Sequence, residues 1–232
     1  MVYYFTAKTT SGGDDLYDMV GPNESTSHTI YMGKDKFEND PLIKHSYPKN
    51  IWFHVDSHSS AHLYLQLTQD QIMNWKSFSD FTIEEDLLIQ LAQLTKANSI
   101  KANKLNNITI IYTPVENLHT DGSMDTGTVT FKNPKLVKRV KISKRENAII
   151  NKLTKSKTEK STDEFIKQQE ELVRHIAKQR KFDEAKEKEL SLQYAQQKRT
   201  NADPYADLFN SEEVEKSSND RRQENWDEDD FW

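Results

Sequence analysis

Ile51-Trp52-Phe53-His54-Val55 and Ala61-His62-Leu63-Tyr64-Leu65-Gln66-Leu67 are two apolar runs parted by the polar Asp56-Ser57-His58-Ser59-Ser60. β-Branched and aromatic side chains suit a pleated, half-buried surface, so the first run reads as a strand and the second as another beyond a turn. A hairpin centred near His58 would pair His54 with His62. Along one continuous strand, four residues span about 13 Å, too far for His54, His58 and His62 to share an ion at roughly 2 Å per bond. Only Asp56, on the turn, offers a further ligand. The histidines are therefore expected to be structural or to contact a ligand other than an ion, with no metal and no cofactor.

Working outward, strands are expected at Val2–Phe5, at His28–Met32 up to Gly33, at Asn107–Thr113 before Pro114, at Thr126–Phe131 and at Leu136–Ile142. Thr9–Ser27, with its Gly, Asp and Ser, reads as a loop. One helix precedes His45, opened either by the box Asp35-x-x-Glu38 or by Asp40 as N-cap with Pro41 behind it. Another follows the box Thr82-x-x-Glu85 and runs to about Ser99, burying a stripe of Ile83, Leu87, Leu88, Leu91 and Leu94. Such an order predicts an α+β domain with a mostly antiparallel sheet and two or three helices. A long charged C-terminal helix and a disordered acidic tail are expected after it.

Only 34% of the 232 residues are hydrophobic, against roughly 45–50% for a globular chain, so part of the sequence is not packed core. Charge is unevenly spread beneath the net −5: residues 1–131 sum to −7, 132–160 to +9, 161–200 to +1 and 201–232 to −8. The last Gly is Gly127, and no Pro lies between Pro134 and Pro204. These shifts divide the chain into a domain over 1–142 with a loop insertion at 10–27, a basic linker and helix start at 143–160, a charged helix at 161–200 and a tail at 201–232. There is no Cys, so no disulfide framework or thiolate metal site is open to it. With no secretory leader and no apolar run near 18–20 residues, a soluble, cytoplasmic and also nuclear protein is expected.

The residues resemble the NFACT-R domain family of ribosome-associated quality-control proteins of the NEMF type. They are more similar to its small eukaryotic coiled-coil-domain-containing members, which carry that domain alone. The resemblance runs over about 28–142, with Val2–Phe5 added. It rests on Gly33-Lys34-Asp35, Glu38-Asn39-Asp40, Asn50-Ile51-Trp52-Phe53-His54-Val55, Ser59-Ser60-Ala61-His62, Ala97-Asn98-Ser99, Ile110–Thr113 and Gly127-Thr128-Val129. Lys34 stands where larger relatives carry arginine, which keeps the charge but loses the bidentate fork, and the Pro-Gly turn of the family is absent. The resemblance implies contact with RNA or the ribosome by a domain without chemistry of its own.

The residues themselves agree. No phosphate-cradling Gly loop, nucleophile elbow, Cys nucleophile or HExxH pair occurs, so no catalytic residue is assigned. The segment Lys132–Lys160 places eleven cations against two carboxylates, a pattern that binds polyanions by releasing counterions. Candidate nucleic-acid-binding residues are Lys34, Lys36, His54, His62, Lys101, Lys104, Lys138, Arg139, Lys141, Lys144 and Arg145. Lys138, Arg139 and Lys141 are expected together at the sheet rim, while Lys101 and Lys104, with Lys96, also suit a helix C-terminus. Tyr31, Trp52 and Tyr112 are candidates for base stacking, although aromatics on strands are more often core. The expected partner is RNA, either tRNA or rRNA, with the ribosome as setting and DNA as the rival.

Ser161-x-x-Glu164 is a third capping box, opening a stretch rich in Gln, Glu, Lys and Ala that predicts a single exposed helix of about 57 Å. Its apolar residues are too sparse for a coiled-coil seam. The tail ends in Trp226-Asp227-Glu228-Asp229-Asp230-Phe231-Trp232. It suggests either a docking motif for a protein partner through 161–232 or a mask for the basic segment.

Overall fold

The computed structural model describes residues 1–10, 25–120 and 127–202. β1 (Val2–Thr10) and β2 (Ser25–Gly33) pair from Val2 opposite Gly33 to Thr10 opposite Ser25. Then come α1 (Asn39–His45), β3 (Ile51–Val55), β4 (Leu63–Leu65), α2 (Gln69–Met73), α3 (Glu85–Ala97) and β5 (Ile108–Pro114). A small pair, β6 (Leu118–His119) and β7 (Thr130–Phe131), precedes β8 (Lys138–Ile142), α4 (Asn147–Lys155), β9 (Thr158–Lys160) and α5 (Thr162–Ala202). The main sheet has the order β8-β5-β3-β4-β2-β1-β9, and every pairing in it is antiparallel. The chain is thus the α+β architecture its pattern predicts.

Both faces of the sheet are covered, which is why its central strands carry apolar residues at successive positions. Ile51, Phe53 and Val55 of β3, with Leu63 and Leu65 of β4, turn to one face, where α3 supplies Leu87, Leu91 and Leu94. The alternate residues Trp52 and Tyr64 turn to the other, joining Val2, Tyr4, Tyr31, Ile111 and, from α5, Phe165. Asn50 ties the two layers together. Its amide donates to the Tyr31 hydroxyl at 3.0 Å and accepts from the Leu67 N–H at 3.1 Å.

Several boundaries differ from expectation, each for a local reason. The loop expected from Thr9 begins later, because Thr9 and Thr10 pair with Thr26 and Ser25; the rest of it, 11–24, lies outside the described residues. Neither expected cap opens α1: Glu38 is the N-cap without a side-chain bond, and the Asp35 carboxylate instead accepts from the Phe37 N–H. Thr82 does not cap α3, which starts at Glu85. The working box is Thr68-x-x-Gln71, with both reciprocal bonds made, ahead of the unforeseen α2. Of Thr126–Phe131 only Thr130 and Phe131 are strand among the described residues.

The largest difference lies after Ile142. Residues 143–160, expected as a basic linker and helix start, form the helix α4 packed against α3 and then β9, which pairs with Val2–Tyr4 at the far edge of the sheet. Ser161 and Glu164 do make their capping box, but the helix they open is not exposed throughout. Phe165, Gln169 and Ile176 are buried, and Gln169 accepts the Tyr47 N–H. The chain divides into two units, Met1–Ala177 and Lys178–Trp232. In the second, Phe182, Leu190, Leu192 and Tyr194 are exposed on the helix, and residues 203–232 lie outside the described part, the acidic aromatic tail included.

Candidate nucleic-acid interface

Strand alternation places the side chains of residues 52 and 54 on one face of β3. The antiparallel ladder, with Phe53 opposite Leu63, brings His62 beside them. The Trp52 and His54 rings stack nearly parallel with centroids 5.3 Å apart, and His62 meets both edge-on at 5.2 and 5.3 Å. Phe131 of β7 packs edge-on against Trp52 at 5.9 Å. These rings line a cavity of about 520 Å3, closed on other sides by Lys36, Asn39, Ser57–Ser60, Ile111 and Gly127–Val129. That size falls among ligand-holding clefts, roughly 300–1,000 Å3.

Its walls are tied from several elements. The Ser99 hydroxyl at the end of α3 donates to the Ser59 carbonyl at 2.6 Å, and the Asn98 carbonyl takes the Ala61 N–H. The Gly127 N–H donates to Asp40 at 3.3 Å. Gly127 has φ +79°, a backbone conformation that L side chains rarely adopt, so this wall favours glycine. Nearly every stretch that carried the family resemblance therefore meets here, although the stretches are dispersed from residue 33 to 129. That convergence was illegible beforehand, since it depends on which strands become neighbours.

The pocket is uncharged at its base. His62 is 3% exposed, and burial, reinforced by His54, pushes its pKa down to about 3. Burial also lowers His54 despite the Val55 carbonyl and Asp56 nearby. Nδ1 of His54 lies 2.8 Å from the Val55 carbonyl, an acceptor only, so Nδ1 carries the proton in the neutral ring, which also has a hydrogen bond to the Ser60 backbone. Trp52 Nε1 and His62 Nδ1 are buried without a hydrogen-bond partner, each a cost of about 1–3 kcal/mol. Among the described residues no group of three His, Cys, Asp or Glu stands in metal-holding proximity.

The eleven candidates do not form one cluster. Arg139 and Lys141 are exposed on edge strand β8, on the cavity's face, with Arg139 opposite cavity-lining Ile111 and 3.9 Å from Asp56. Lys36 lines the cavity itself, and Lys34 is exposed just before it. Lys138 departs from expectation: alternation turns it to the opposite face, where Nζ donates to the Ser79 and Phe81 carbonyls and sits 4.7 Å from the Phe78 ring. Lys144 and Arg145 occupy the turn after β8, and Arg145 donates to Asn103 at 2.6 Å. Asn103 lies between Lys101 and Lys104, so these four exposed cations form a corner at the same sheet edge. Lys96 is fully buried with no partner for Nζ and is not part of that surface. Of the stacking candidates, Tyr31 is core against Tyr64 and Tyr112 lies on the helix-covered face against Phe53; only Trp52 lines the cavity.

An α+β sheet with an aromatic–histidine cavity on one face and cations along the adjoining edge has the layout of a binding domain. The chain belongs to the family described as NFACT protein RNA binding domain, whose profile matches residues 1–133. It is 42% identical over 163 residues to coiled-coil domain-containing protein 25 of Mus musculus, covering 70% of this chain and 69% of that one. To protein JLP2 of Saccharomyces cerevisiae it is 37% identical over 161 residues, covering 68% and 69%. A solved structure, the C-terminal of the fibronectin/fibrinogen-binding protein from Streptococcus suis, is 18% identical with a TM-score of 0.44, covering 65% of this chain and 48% of that one.

Proposed function

We propose that this protein is a non-catalytic RNA-binding factor of the translation machinery, working in the cytoplasm on tRNA or rRNA. Its phosphate-binding surface is the β8 edge of the sheet. The observation that carries this reading is the placement of Arg139 and Lys141, exposed on the cavity's face, in continuity with Lys144 and Arg145. The family's description as an RNA-binding domain supports it.

The test reverses Arg139, Lys141, Lys144 and Arg145 to glutamate and leaves Lys138 in place, because Lys138 holds the fold. Binding of labelled tRNA at fixed salt should fall at least tenfold. The log–log salt slope should shrink by about 0.7–0.9 for each phosphate that the variant no longer neutralises. A folded variant that binds tRNA as tightly as the unaltered chain would refute the proposal. Tighter binding of duplex DNA than of tRNA by the unaltered chain would move the reading to DNA.

A further inference from the structure

We infer that the Trp52–His54–His62 cavity receives a single unpaired nucleobase, so that the protein reads unpaired RNA and not only a phosphate backbone. The inference rests on the RNA-binding reading above and deepens it.

Three observations converge. First, the cavity is aromatic and uncharged at its base: the histidines are neutral at physiological pH, which makes them poor seats for phosphate and good walls for a flat heterocycle. Second, the wall mixes flat rings with reachable polar groups: half-buried His54 and Phe131 line it beside Ser57, Ser59 and Ser60, a combination that can stack a base and meet its edge. Third, the charge surrounds the cavity without filling it. Lys36 stands in the wall and Arg139 one strand beyond Ile111, where the phosphates flanking an extruded base would pass. A cavity of about 520 Å3 is roomy enough for a purine.

The experiment uses the full chain and three probes at one salt concentration: a single-stranded RNA octamer of mixed sequence, the same octamer built entirely of abasic nucleotides, and a blunt RNA duplex. Stacking of one base leads to an octamer affinity roughly tenfold above that of the abasic strand. Thr128→Trp, which fills the cavity mouth from an exposed position, should bring the octamer down to the abasic level while leaving duplex affinity within twofold. His54→Ala should lower octamer affinity in the same way, and the abasic comparison poses the question without any mutation should a variant misfold. Equal affinity of the unaltered chain for octamer and abasic strand would overturn the base pocket while leaving phosphate-driven RNA binding intact. Failure to bind any of the three probes would overturn the RNA reading itself.

Discussion

His62 shows how burial changes the chemistry of a residue. As one of three histidines spaced by four, it invites a metal or a charged RNA contact; inside the sheet it is a neutral ring whose pKa is about 3. The unfolded chain binds a proton at this residue near pH 6.5, so between those values the unfolded state holds more protons than the folded one. Stability from neutral His62 is fully present above pH 6.5 and is lost as the pH falls towards about 3, at up to ~1.4 kcal/mol per unit. Melting temperatures measured from pH 7 to pH 4 should fall accordingly, and His62→Gln should flatten part of that slope. His54, also lowered by burial, keeps some of the slope alive. An unchanged profile in the variant would show that His62 is not held neutral.

At the scale of elements, β8 demonstrates what a period of two does to a run of cations. Lys138-Arg139-Val140-Lys141-Ile142 reads in sequence as one basic cluster, yet neighbouring side chains leave on opposite faces. Lys138 serves the first core by binding the carbonyls of Ser79 and Phe81, whereas Arg139 and Lys141 face outward. Lys138→Glu should therefore cost about 2 kcal/mol in urea denaturation, the scale of charge-assisted hydrogen bonds. Arg139→Glu should stay within about 0.5 kcal/mol, as exposed substitutions do. Equal costs would contradict the assignment of faces. The hairpin β3–β4 was legible because its apolar runs and polar turn are contiguous. The starts of α1 and α3 were not, because Asp35 has a local backbone bond available and Thr82 lies outside the helix that Glu85 begins.

For the whole molecule, the question is where the folded domain ends. Composition places the boundary at 142, since nearly every apolar cluster lies before Ile142; packing extends the first unit to Ala177. β9 closes the sheet edge on β1, and Phe165 is wholly buried against Tyr31, 5.1 Å between ring centroids. A chain ending at Ala177 should melt within about two degrees of the full one by circular dichroism. A chain ending at Ile142, stripped of Phe165, Ile150 and Leu153, should lose its cooperative transition, because losing several large core side chains at about 2–5 kcal/mol each is comparable to the usual margin of about 5–15 kcal/mol. Cooperative melting of the shorter chain would place the boundary back where composition puts it.

Fold class, the central hairpin, the antiparallel habit and the family were all present in the sequence, because they depend on short-range alternation, turn residues and contiguous motifs. The cavity was not, nor the separation of Lys138 from Arg139 and Lys141, nor the capture of residues 143–177 by the sheet. Those follow from which strands become neighbours and which face each side chain takes, and such pairings reach from Ile111 with Arg139 to Val2 with Lys160, at opposite ends of the domain. Local preference carries no information across that distance; only the closed sheet does.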